Sequence, residues 1–385
     1  MDMAIAMEEE CTGQTLSTLR SDPLKTALTR KSISEFRLMK QFKDNKAPIT
    51  SLDYDPTGTR CITTSADESL RIYNCVQGKR DRVSYSKKYG CSLAQFTKQP
   101  GCVAYASTKL NDTVRYLSYE TNQFIRYFVG HSGRVTSLQR SPDGSSTMMS
   151  AALDGTVRIW DLGVSGPTVT VNPELLAGNA SVKTSGIAAS YDPSASIVAV
   201  VLASSETHLF DVREMKRGPF KTAPLLPDIT TESDVVGVKF IPPFGDCILI
   251  SMADGTNQIV DAFSLECRLK LGLAAHSNGV EERSRVLADE DSPASKPMLH
   301  EYMSQRVTVT PDGRTVIAGC DNGSVVYWDI SMTKDLEEKP PVLLNPTGVW
   351  NDTHQDGDAI GVCSFNPHLM ECLTGSGSLA LWTVM

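Results

Sequence analysis

The sequence predicts an all-β fold in which one four-stranded unit occurs seven times. The first observation is a turn that contains proline and recurs along the chain, at Pro56, Pro100, Pro142, Pro193, Pro243, Pro311 and Pro367. The second is a Ser or Thr that begins a strand at a nearly constant distance after each proline, at Ser69, Thr113, Thr156, Thr207, Thr256, Ser324 and Ser378. The distance between successive prolines varies much more, so the spacing is nearly fixed within a unit and variable between units. A rigid hairpin repeated with insertions in its connecting loops produces this pattern.

The local sequence of one unit indicates its architecture. Proline presets the backbone angle at the second turn position, and a nearby glycine permits a tight return of the chain. We call the Ser or Thr that begins the strand the anchor of each unit. The strand after each anchor alternates apolar and polar residues, as in Val157-Arg158-Ile159-Trp160. A repeat of about 40 to 45 residues with four strands is typical of a WD-repeat blade. We therefore predict a seven-bladed WD-repeat β-propeller.

The first and last units predict how the ring closes. The last unit ends after its third strand, and residues 35–42, before the first unit, have the pattern of a strand. Because an open ring would leave exposed sheet edges, we predict that this N-terminal strand completes the seventh blade. Residues 1–32 then form a flexible tail, and residues 33–385 form the propeller. Two long polar connectors, at about 274–304 and 331–358, predict solvated loops.

Composition narrows the classes of function. The chain of 385 residues has a net charge of −8, which disfavours a general electrostatic grip on nucleic acid. Its longest purely apolar run, 197–203, is far shorter than the roughly 20 residues of a membrane-spanning helix. No cysteine pair has C-x-x-C spacing and the histidines lack metal-ligand spacing, so we predict no metal site and no cofactor. The N-terminus also lacks the pattern of a secretory signal.

A set of polar residues in the third unit predicts a structural hydrogen-bond network. Its members are Gly130-His131, Ser150, Asp154 and Trp160, the polar tetrad of a WD blade. A buried indole N–H and two buried imidazole nitrogens need partners, and a chain from Trp through Ser and His to Asp supplies them. The alternative, a catalytic His–Asp pair, lacks a nucleophile in a matching context, so we predict no catalytic residues. The sixth and seventh units keep only Trp328 and Trp382 of the set.

Basic residues are concentrated in the first three units of this acidic chain. Three arginines occupy the same repeat position, two residues after the anchor: Arg71, Arg115 and Arg158. Other basic residues lie beside tyrosines or the Gly-His pair, namely Lys87, Lys88, Arg126 and Arg134. Because strands alternate faces, we predict that these side chains avoid the apolar layers and remain accessible. They either only solvate the blade edges or form a cationic, aromatic-lined surface for an acidic or phosphorylated peptide.

Several segments resemble one family of WD-repeat proteins. They are YSKKYG (85–90), NDTVRYLS (111–118), FIRYFVGH (124–131), LDGTVRIWDL (153–162), RGPF (217–220), DAF (261–263) and SFNP (364–367). The resemblance is to the WD-repeat subunit shared by the COMPASS-type histone lysine methyltransferase complex and the nuclear cleavage and polyadenylation machinery. It covers roughly residues 33–385 and is strongest over the first three units. The N-terminal tail and the two long loops resemble elaborations of a fungal member.

This resemblance implies a non-catalytic nuclear scaffold that docks extended segments of other proteins. The implied partners are a segment of the methyltransferase catalytic subunit, a segment of a polyadenylation-factor or phosphatase complex, and the phosphorylated tail of RNA polymerase II. The implied processes are histone lysine 4 methylation on chromatin, mRNA 3′-end processing and transcription termination. We expect neither direct nucleic-acid binding nor membrane association.

Two other functions are compatible with the same fold. A substrate receptor of a ubiquitin ligase would share the propeller but not the segment at 85–90. A propeller enzyme would need acidic or histidine side chains clustered around the central channel, and the sequence shows no such cluster. Because fold alone does not fix function, only the binding residues and the partners can separate these alternatives.

Overall fold

The chain folds into seven sheets that form the blades of a β-propeller, which confirms the fold predicted from the repeat. The computed structural model describes residues 30–173, 186–202, 206–224, 235–253, 255–272, 305–331, 341–350, 352, 354 and 358–384. The predicted tail through residue 29 and the predicted loop at 274–304 lie outside these residues. In the described ranges, no helix combines the length and apolar character that crossing a bilayer requires.

The first half of the described chain forms a closing strand and three complete blades. It starts with the short helix α1 (Arg30–Ser34) and the strand β1 (Phe36–Phe42). Blade 1 contains β2 (Ile49–Tyr54), β3 (Arg60–Ser65), β4 (Ser69–Asn74) and β5 (Lys79–Tyr85). Blade 2 contains β6 (Ser92–Phe96), β7 (Cys102–Ala106), β8 (Val114–Ser118) and β9 (Gln123–Phe128). Blade 3 contains β10 (Val135–Arg140), β11 (Thr147–Ala152), β12 (Val157–Asp161) and β13 (Pro167–Val171).

The second half forms the remaining four blades. Blade 4 contains β14 (Ile187–Tyr191), β15 (Ile197–Leu202), β16 (Glu206–Asp211), a 3-10 turn at Met215–Arg217, and β17 (Lys221–Pro224). Blade 5 begins with β18 (Val235–Phe240), β19 (Cys247–Met252), β20 (Asn257–Asp261) and β21 (Cys267–Leu271). Blade 6 begins with β22 (Val307–Val309), β23 (Thr315–Gly319) and β24 (Val325–Asp329). The chain continues through β25 (Val342–Leu344), β26 (Gly348–Val349), β27 (Val362–Phe365), β28 (Glu371–Gly375) and β29 (Leu379–Val384).

Strand β1 completes blade 7, as the pattern of the first and last units predicts. It pairs antiparallel with β29, with Phe36 opposite Val384 and Phe42 opposite Leu379. The order of strands in this blade is β1-β29-β28-β27, so β1 takes the outer position. Hydrogen bonds between residues from opposite ends of the described chain therefore close the ring.

An indole from the segment before blade 7 fastens this closure. Trp350 is fully buried, and its ring stacks on that of Phe36 with centroids 5.0 Å apart. Its Nε1 donates a hydrogen bond to the carbonyl oxygen of Ile33 at 3.0 Å. The backbone N–H of Leu38 donates to Asp352 Oδ2, also at 3.0 Å. The N-terminal helix and strand are thus held by side-chain packing as well as by strand pairing.

The connector at 331–358 differs from the solvated loop that its composition predicts. Within the residues described there, β25 pairs in parallel with β21 as a fifth strand of blade 5. Strand β26 then pairs with β24 and becomes the outer strand of blade 6. Val342 and Leu344 pack against the apolar cluster between these blades. The prediction is wrong here because it rests on the average composition of the connector, which its charged residues dominate. A few apolar residues within the connector are enough to add a strand to an existing sheet edge.

The apolar core is divided among the gaps between blades. The described residues form seven clusters of buried side chains, one between each pair of neighbouring blades. This division follows from strand geometry, since alternate residues of a strand face opposite neighbours. Between blades 2 and 3, for example, the rings of Phe128 and Trp160 lie 5.5 Å apart.

The strand register of blade 4 places its anchor one residue before the predicted position. Phe210 takes the register position in blade 4 that Trp160 takes in blade 3. In blade 3 the anchor Thr156 lies four positions before Trp160. The residue four positions before Phe210 in blade 4 is Glu206 rather than Thr207. The sequence pointed to Thr207 because the other six anchors are Ser or Thr.

Candidate functional site

The polar tetrad of blade 3 forms one hydrogen-bonded chain. Trp160 Nε1 donates to Ser150 Oγ at 2.8 Å, and that oxygen lies 2.7 Å from His131 Nε2. His131 Nδ1 lies 3.0 Å from Asp154 Oδ2. Because the Ser150 oxygen already accepts the indole proton, its own proton points to Nε2, and Nδ1–H donates to Asp154. All four side chains are more than nine-tenths buried, so this chain pairs polar groups that water does not reach.

The hydrogen bonds to Asp154 keep this carboxylate charged. Burial would raise its pKa, but hydrogen bonds from His131, Thr156 and the backbone N–H of Ser132 outweigh burial and hold the pKa well below its usual range. The Thr156 hydroxyl donates at 2.6 Å and the Ser132 N–H at 3.0 Å. The charged carboxylate in turn fixes the orientation of the His131 ring.

Three members of the tetrad share the connectivity of a Ser–His–Asp catalytic triad but lack its accessibility. Ser150 is 0% exposed, and its hydroxyl is bound by both Trp160 and His131. A nucleophilic hydroxyl must reach the carbonyl carbon of a substrate. The arrangement therefore favours a structural role over acyl transfer.

A second network of this type lies in blade 7, where the sequence motif indicated only the tryptophan. Trp382 Nε1 donates to Thr374 Oγ1 at 2.8 Å, and His354 Nε2 lies 2.6 Å from the same oxygen. Ser376 Oγ lies 2.9 Å from His354 Nδ1, in the place of an aspartate. The Gly-His motif does not reveal this network, because His354 does not follow a glycine. The separation of His and Trp along the chain is nearly the same as in blade 3, and this spacing is the signal that could have revealed the network.

Two of the three equivalent arginines are buried, which contradicts their predicted accessibility. Arg71 is 2% exposed and donates to Asp67 Oδ2 and to the carbonyl oxygen of Asp44, both at 3.0 Å. Arg115 is 3% exposed and donates from Nε to Ser107 Oγ at 2.7 Å. Strand alternation does keep them out of the apolar layers, but residues of the adjoining loops cover them. They stabilise the blades and are not available to a partner.

The other arginines of the predicted surface lie towards blade 3. Arg158 is mostly buried beside the tetrad, where its Nε donates to Thr156 Oγ1 at 3.2 Å. Arg126 is half-buried and donates from Nη1 to Ser165 Oγ at 3.2 Å. Arg134 is also half-buried. The predicted basic surface is thus divided, and Arg158 and Arg126 make contacts within the propeller.

Lys87 and Lys88 form the accessible part of the predicted surface. Both are exposed on the connection between blades 1 and 2. Lys87 Nζ lies 5.8 Å from the ring centre of Tyr85, and Lys88 Nζ lies 5.2 Å from that of Tyr89. The backbone N–H of Lys109 donates to the carbonyl oxygen of Tyr89 at 2.8 Å and fastens the connection to blade 2. The structure therefore places two exposed lysines beside two tyrosines.

Three aromatic rings surround the guanidinium of Arg115. Its Cζ lies 3.5 Å from the ring centre of Tyr89, 5.1 Å from that of Tyr127 and 5.7 Å from that of Phe124. Tyr127 and Phe124 belong to β9, the outer strand of blade 2. Cation–π attraction holds these rings around the buried cation. We refer to Lys87, Lys88, Tyr89, Phe124 and Tyr127 together as the aromatic–basic surface.

The similarity of the chain to known proteins extends over nearly the whole propeller. The family model described as "WD domain, G-beta repeat" matches residues 36–74, 122–161 and 304–329. The Set1 complex component swd2 of Schizosaccharomyces pombe is 33% identical over 359 residues, which cover 87% of this chain and 92% of that protein. The chain belongs to the Swd2 family of WD-repeat proteins.

Two other relatives are similar over most of the chain at slightly lower identity. WD repeat-containing protein 82 of Drosophila melanogaster is 29% identical over 359 residues, covering 93% of this chain and 98% of that protein. COMPASS component SWD2 of Saccharomyces cerevisiae is 28% identical over 309 residues, covering 79% of this chain and 84% of that protein. These similarities confirm the family resemblance carried by the sequence segments. Within the described residues, no group of three His, Cys, Asp or Glu side chains could hold a metal ion.

The central channel of this Swd2-family propeller holds polar side chains that join neighbouring blades. The channel encloses about 330 Å³ between the innermost strands. Asp53 Oδ2 accepts a backbone N–H of blade 2 at 3.0 Å, and Gln139 Oε1 accepts one of blade 4 at 2.8 Å. Lys239 Nζ donates to a backbone carbonyl of blade 6 at 2.7 Å. Burial raises the pKa of Asp53 to about 6 and lowers that of Lys239 to about 8.

The raised pKa of Asp53 predicts a pH-dependent stability. The folded protein holds this proton more tightly than the unfolded chain, where the pKa is 3.8. The stabilising contribution is therefore complete below pH 3.8 and is lost as the pH rises through 6. We expect Asp53→Asn, which keeps the acceptor oxygen, to gain about 1–3 kcal/mol of stability relative to the parent between pH 4 and pH 7. Urea unfolding of both proteins across this range measures the difference.

Asp143→Asn is the matched control for this measurement. Asp143 lies in an exposed turn, where the backbone N–H of Ser145 and nearby hydroxyls lower its pKa. Its replacement should therefore lose stability relative to the parent as the pH rises through 3.8, the opposite sign to Asp53, and this difference should be nearly constant above about pH 5. A difference for Asp53→Asn that stays constant from pH 4 to pH 7 would show that the channel does not raise this pKa.

Proposed function

We propose that this chain is a non-catalytic docking subunit of a COMPASS-type histone lysine methyltransferase complex. The observation that carries the proposal is its 33% identity to the Set1 complex component swd2 over 87% of the chain. The name of a second relative, COMPASS component SWD2, supports the same assignment. A closed propeller suits docking, because it presents loops from a rigid ring on two faces.

We further propose a nuclear location and partners that bind as extended segments. The first partner is a segment of the methyltransferase catalytic subunit, in keeping with methylation of histone lysine 4. A segment of a polyadenylation-factor or phosphatase complex and the phosphorylated tail of RNA polymerase II are the further partners that the family resemblance suggests. Binding to these would connect the chain to mRNA 3′-end processing and transcription termination.

The placement of the buried histidines supports the non-catalytic part of the proposal. Both ring nitrogens of His131 are hydrogen-bonded within the tetrad, and both of His354 are bonded within blade 7. His208 is also fully buried, and burial lowers its pKa. A general acid or base must reach the proton it transfers in a bound substrate. His131 and His354 instead hold strands together, and His208 Nδ1 lies 3.0 Å from Thr222 Oγ1 on the neighbouring strand.

Affinity purification of the tagged full-length chain from nuclear extract tests the proposed function. We expect a SET-domain methyltransferase to co-purify in stoichiometric amount, with other subunits identified by mass spectrometry. His131→Ala serves as a stability control, because it should reduce all partners together, in proportion to the folded fraction. Recovery of cullin-type ubiquitin-ligase subunits without a methyltransferase would contradict the proposal and favour a substrate receptor instead.

A further inference from the structure

The region around the aromatic–basic surface has a charge opposite to that of the whole chain. Residues 79–134 contain ten Lys or Arg and three Asp or Glu, a net charge of +7, whereas the chain carries −8. Two of the basic residues, Arg80 and Lys109, pair with acidic residues outside this range, Asp44 and Glu68, which leaves about +5. This region runs from the outer strand of blade 1 through blade 2. A concentrated positive region on an acidic protein attracts and orients acidic partners and is sensitive to salt.

The two exposed lysines of this region are available for pairing. Lys87 and Lys88 contact tyrosine rings, and neither forms an ion pair with any residue that the structure describes. Lys109, close by, is by contrast paired with Glu68. A carboxylate from another protein would therefore meet two cations that no described acidic group already neutralises.

The neighbouring aromatic rings offer an apolar contact in a fixed position. Phe124 and Tyr127 are 40% and 49% exposed, and their ring centroids lie 5.4 Å apart. Both rings also lie close to the Arg115 guanidinium, which is itself held by Ser107. Rings held in this way need little further ordering when a partner binds, which favours affinity. Exposed apolar groups bordered by charge are typical of protein-binding sites.

The molecule itself shows how a segment can lie along the outer edge of a blade. Strand β25 adds in parallel to the outer strand of blade 5, in extended conformation. Strand β9, which carries Phe124 and Tyr127, is the outermost strand of blade 2 in the described structure. An extended segment of a partner could follow β9 in the same manner, so that alternate side chains lie on the same face of the sheet as Phe124 and Tyr127.

We infer that the aromatic–basic surface docks an extended acidic segment of a partner protein. Apolar side chains of that segment pack on Phe124 and Tyr127, and its carboxylates pair with Lys87 and Lys88. This inference rests on the proposed docking function and specifies the site and the chemistry of the ligand. A lysine pair alone would bind weakly, since an exposed ion pair contributes little to affinity. The fixed rings supply the apolar anchor that useful affinity requires.

Titration with a fluorescein-labelled peptide tests this inference on the full-length chain. The probe is a twelve-residue peptide of glutamates interrupted by two leucines, and its partner probe replaces every glutamate by serine. We expect the acidic probe to bind the parent and the serine probe to bind at least about tenfold more weakly. The double variant Lys87→Glu/Lys88→Glu should weaken the acidic probe by about tenfold at roughly 50 mM salt, and by less at roughly 300 mM salt.

A second variant separates the aromatic contribution from the charge. Phe124→Ala should weaken the acidic probe about fivefold, by an amount that does not depend on salt. Two controls match these changes elsewhere on the ring. Arg213→Glu/Lys216→Glu makes the same change in charge at exposed residues of blade 4, and Phe263→Ala removes a ring that is 90% exposed in blade 5. Both controls should bind within twofold of the parent, and circular dichroism checks that every variant is folded.

Three outcomes would overturn the inference. The folded Lys87→Glu/Lys88→Glu variant could bind the acidic probe as the parent does. The parent could prefer a twelve-nucleotide single-stranded RNA to the peptide, which would indicate a nucleic-acid surface. The variant could also lose the peptide yet retain every partner in nuclear extract, which would place partner docking elsewhere. Failure of the parent itself to recover a methyltransferase would instead contradict the proposed function, and the peptide titration would still decide the site.

Discussion

Removal of residues 1–42 is expected to leave little folded protein at physiological temperature. The truncation deletes β1, the outer strand of blade 7, and with it the buried side chains of Ile33 and Phe36. Loss of one such side chain alone typically costs about 2–5 kcal/mol, and a whole domain is stable by only about 5–15 kcal/mol. The truncation also leaves Trp350 without its stacking partner and opens the edge of β29. Thermal unfolding followed by circular dichroism measures the effect.

Truncation of residues 1–29 alone is the matched control, because it retains both α1 and β1. We expect its unfolding temperature to stay within about 2 °C of the full-length value. Trp350→Ala should fall between the two truncations, with a loss of about 3–5 kcal/mol, since it keeps the strand but removes the ring that stacks on Phe36. Equally small effects of the two truncations would show that β1 does not close the ring.

The repeat could be predicted from the sequence because its signals are local. A turn such as Ser141-Pro142-Asp143-Gly144 and the strand from 157 follow from backbone preferences and alternation over short stretches of chain. The fifth strand of blade 5 could not be predicted in this way. Its position depends on the sheet edge formed by β21. Three strands of blade 6, β22 to β24, separate β21 from β25 along the chain. No local pattern in Val342–Leu344 specifies which edge it joins.

The candidate site was predicted only in part, and for a similar reason. Lys87 and Lys88 proved accessible because their connection lies on the surface, whereas Arg71 and Arg115 are covered by loops that the strand pattern does not describe. The packing of Tyr127 and Phe124 around Arg115 depends on strand pairing and loop position, which no motif encodes. Sequence reasoning therefore found the types of residue involved but not which of them face solvent.

Strand register also explains why a tryptophan at the WD position does not always belong to a hydrogen-bond network. In blade 6, Trp328 Nε1 has no hydrogen-bond partner among the described residues. Ala318 takes the register position in that blade that Ser150 takes in blade 3, so no hydroxyl is available there. Blade 7 provides Thr374 at this position and therefore forms the network. The residue opposite the third strand decides the outcome, and it lies outside the Trp-Asp motif.

His131→Ala is expected to destabilise the protein by about 1–3 kcal/mol, and His354→Ala by somewhat less. Each change leaves a buried hydroxyl, that of Ser150 or Thr374, without its imidazole partner. Only His131→Ala also removes a donor from a buried carboxylate, so the pKa of Asp154 should rise and its charge should become less stable. In blade 7 the corresponding group is the neutral hydroxyl of Ser376. Urea unfolding at pH 7 measures both losses.

His368→Ala provides the matched control, because this histidine is exposed and bonds only through one ring nitrogen to a backbone carbonyl. It should change the stability by less than about 0.5 kcal/mol. The two networks lie in different blades, so the double variant His131→Ala/His354→Ala should lose the sum of the single losses. Both single variants should retain every partner in proportion to the folded fraction. If a fully folded His131→Ala protein lost one partner selectively, the histidine would be part of a binding site, and its structural assignment would be wrong.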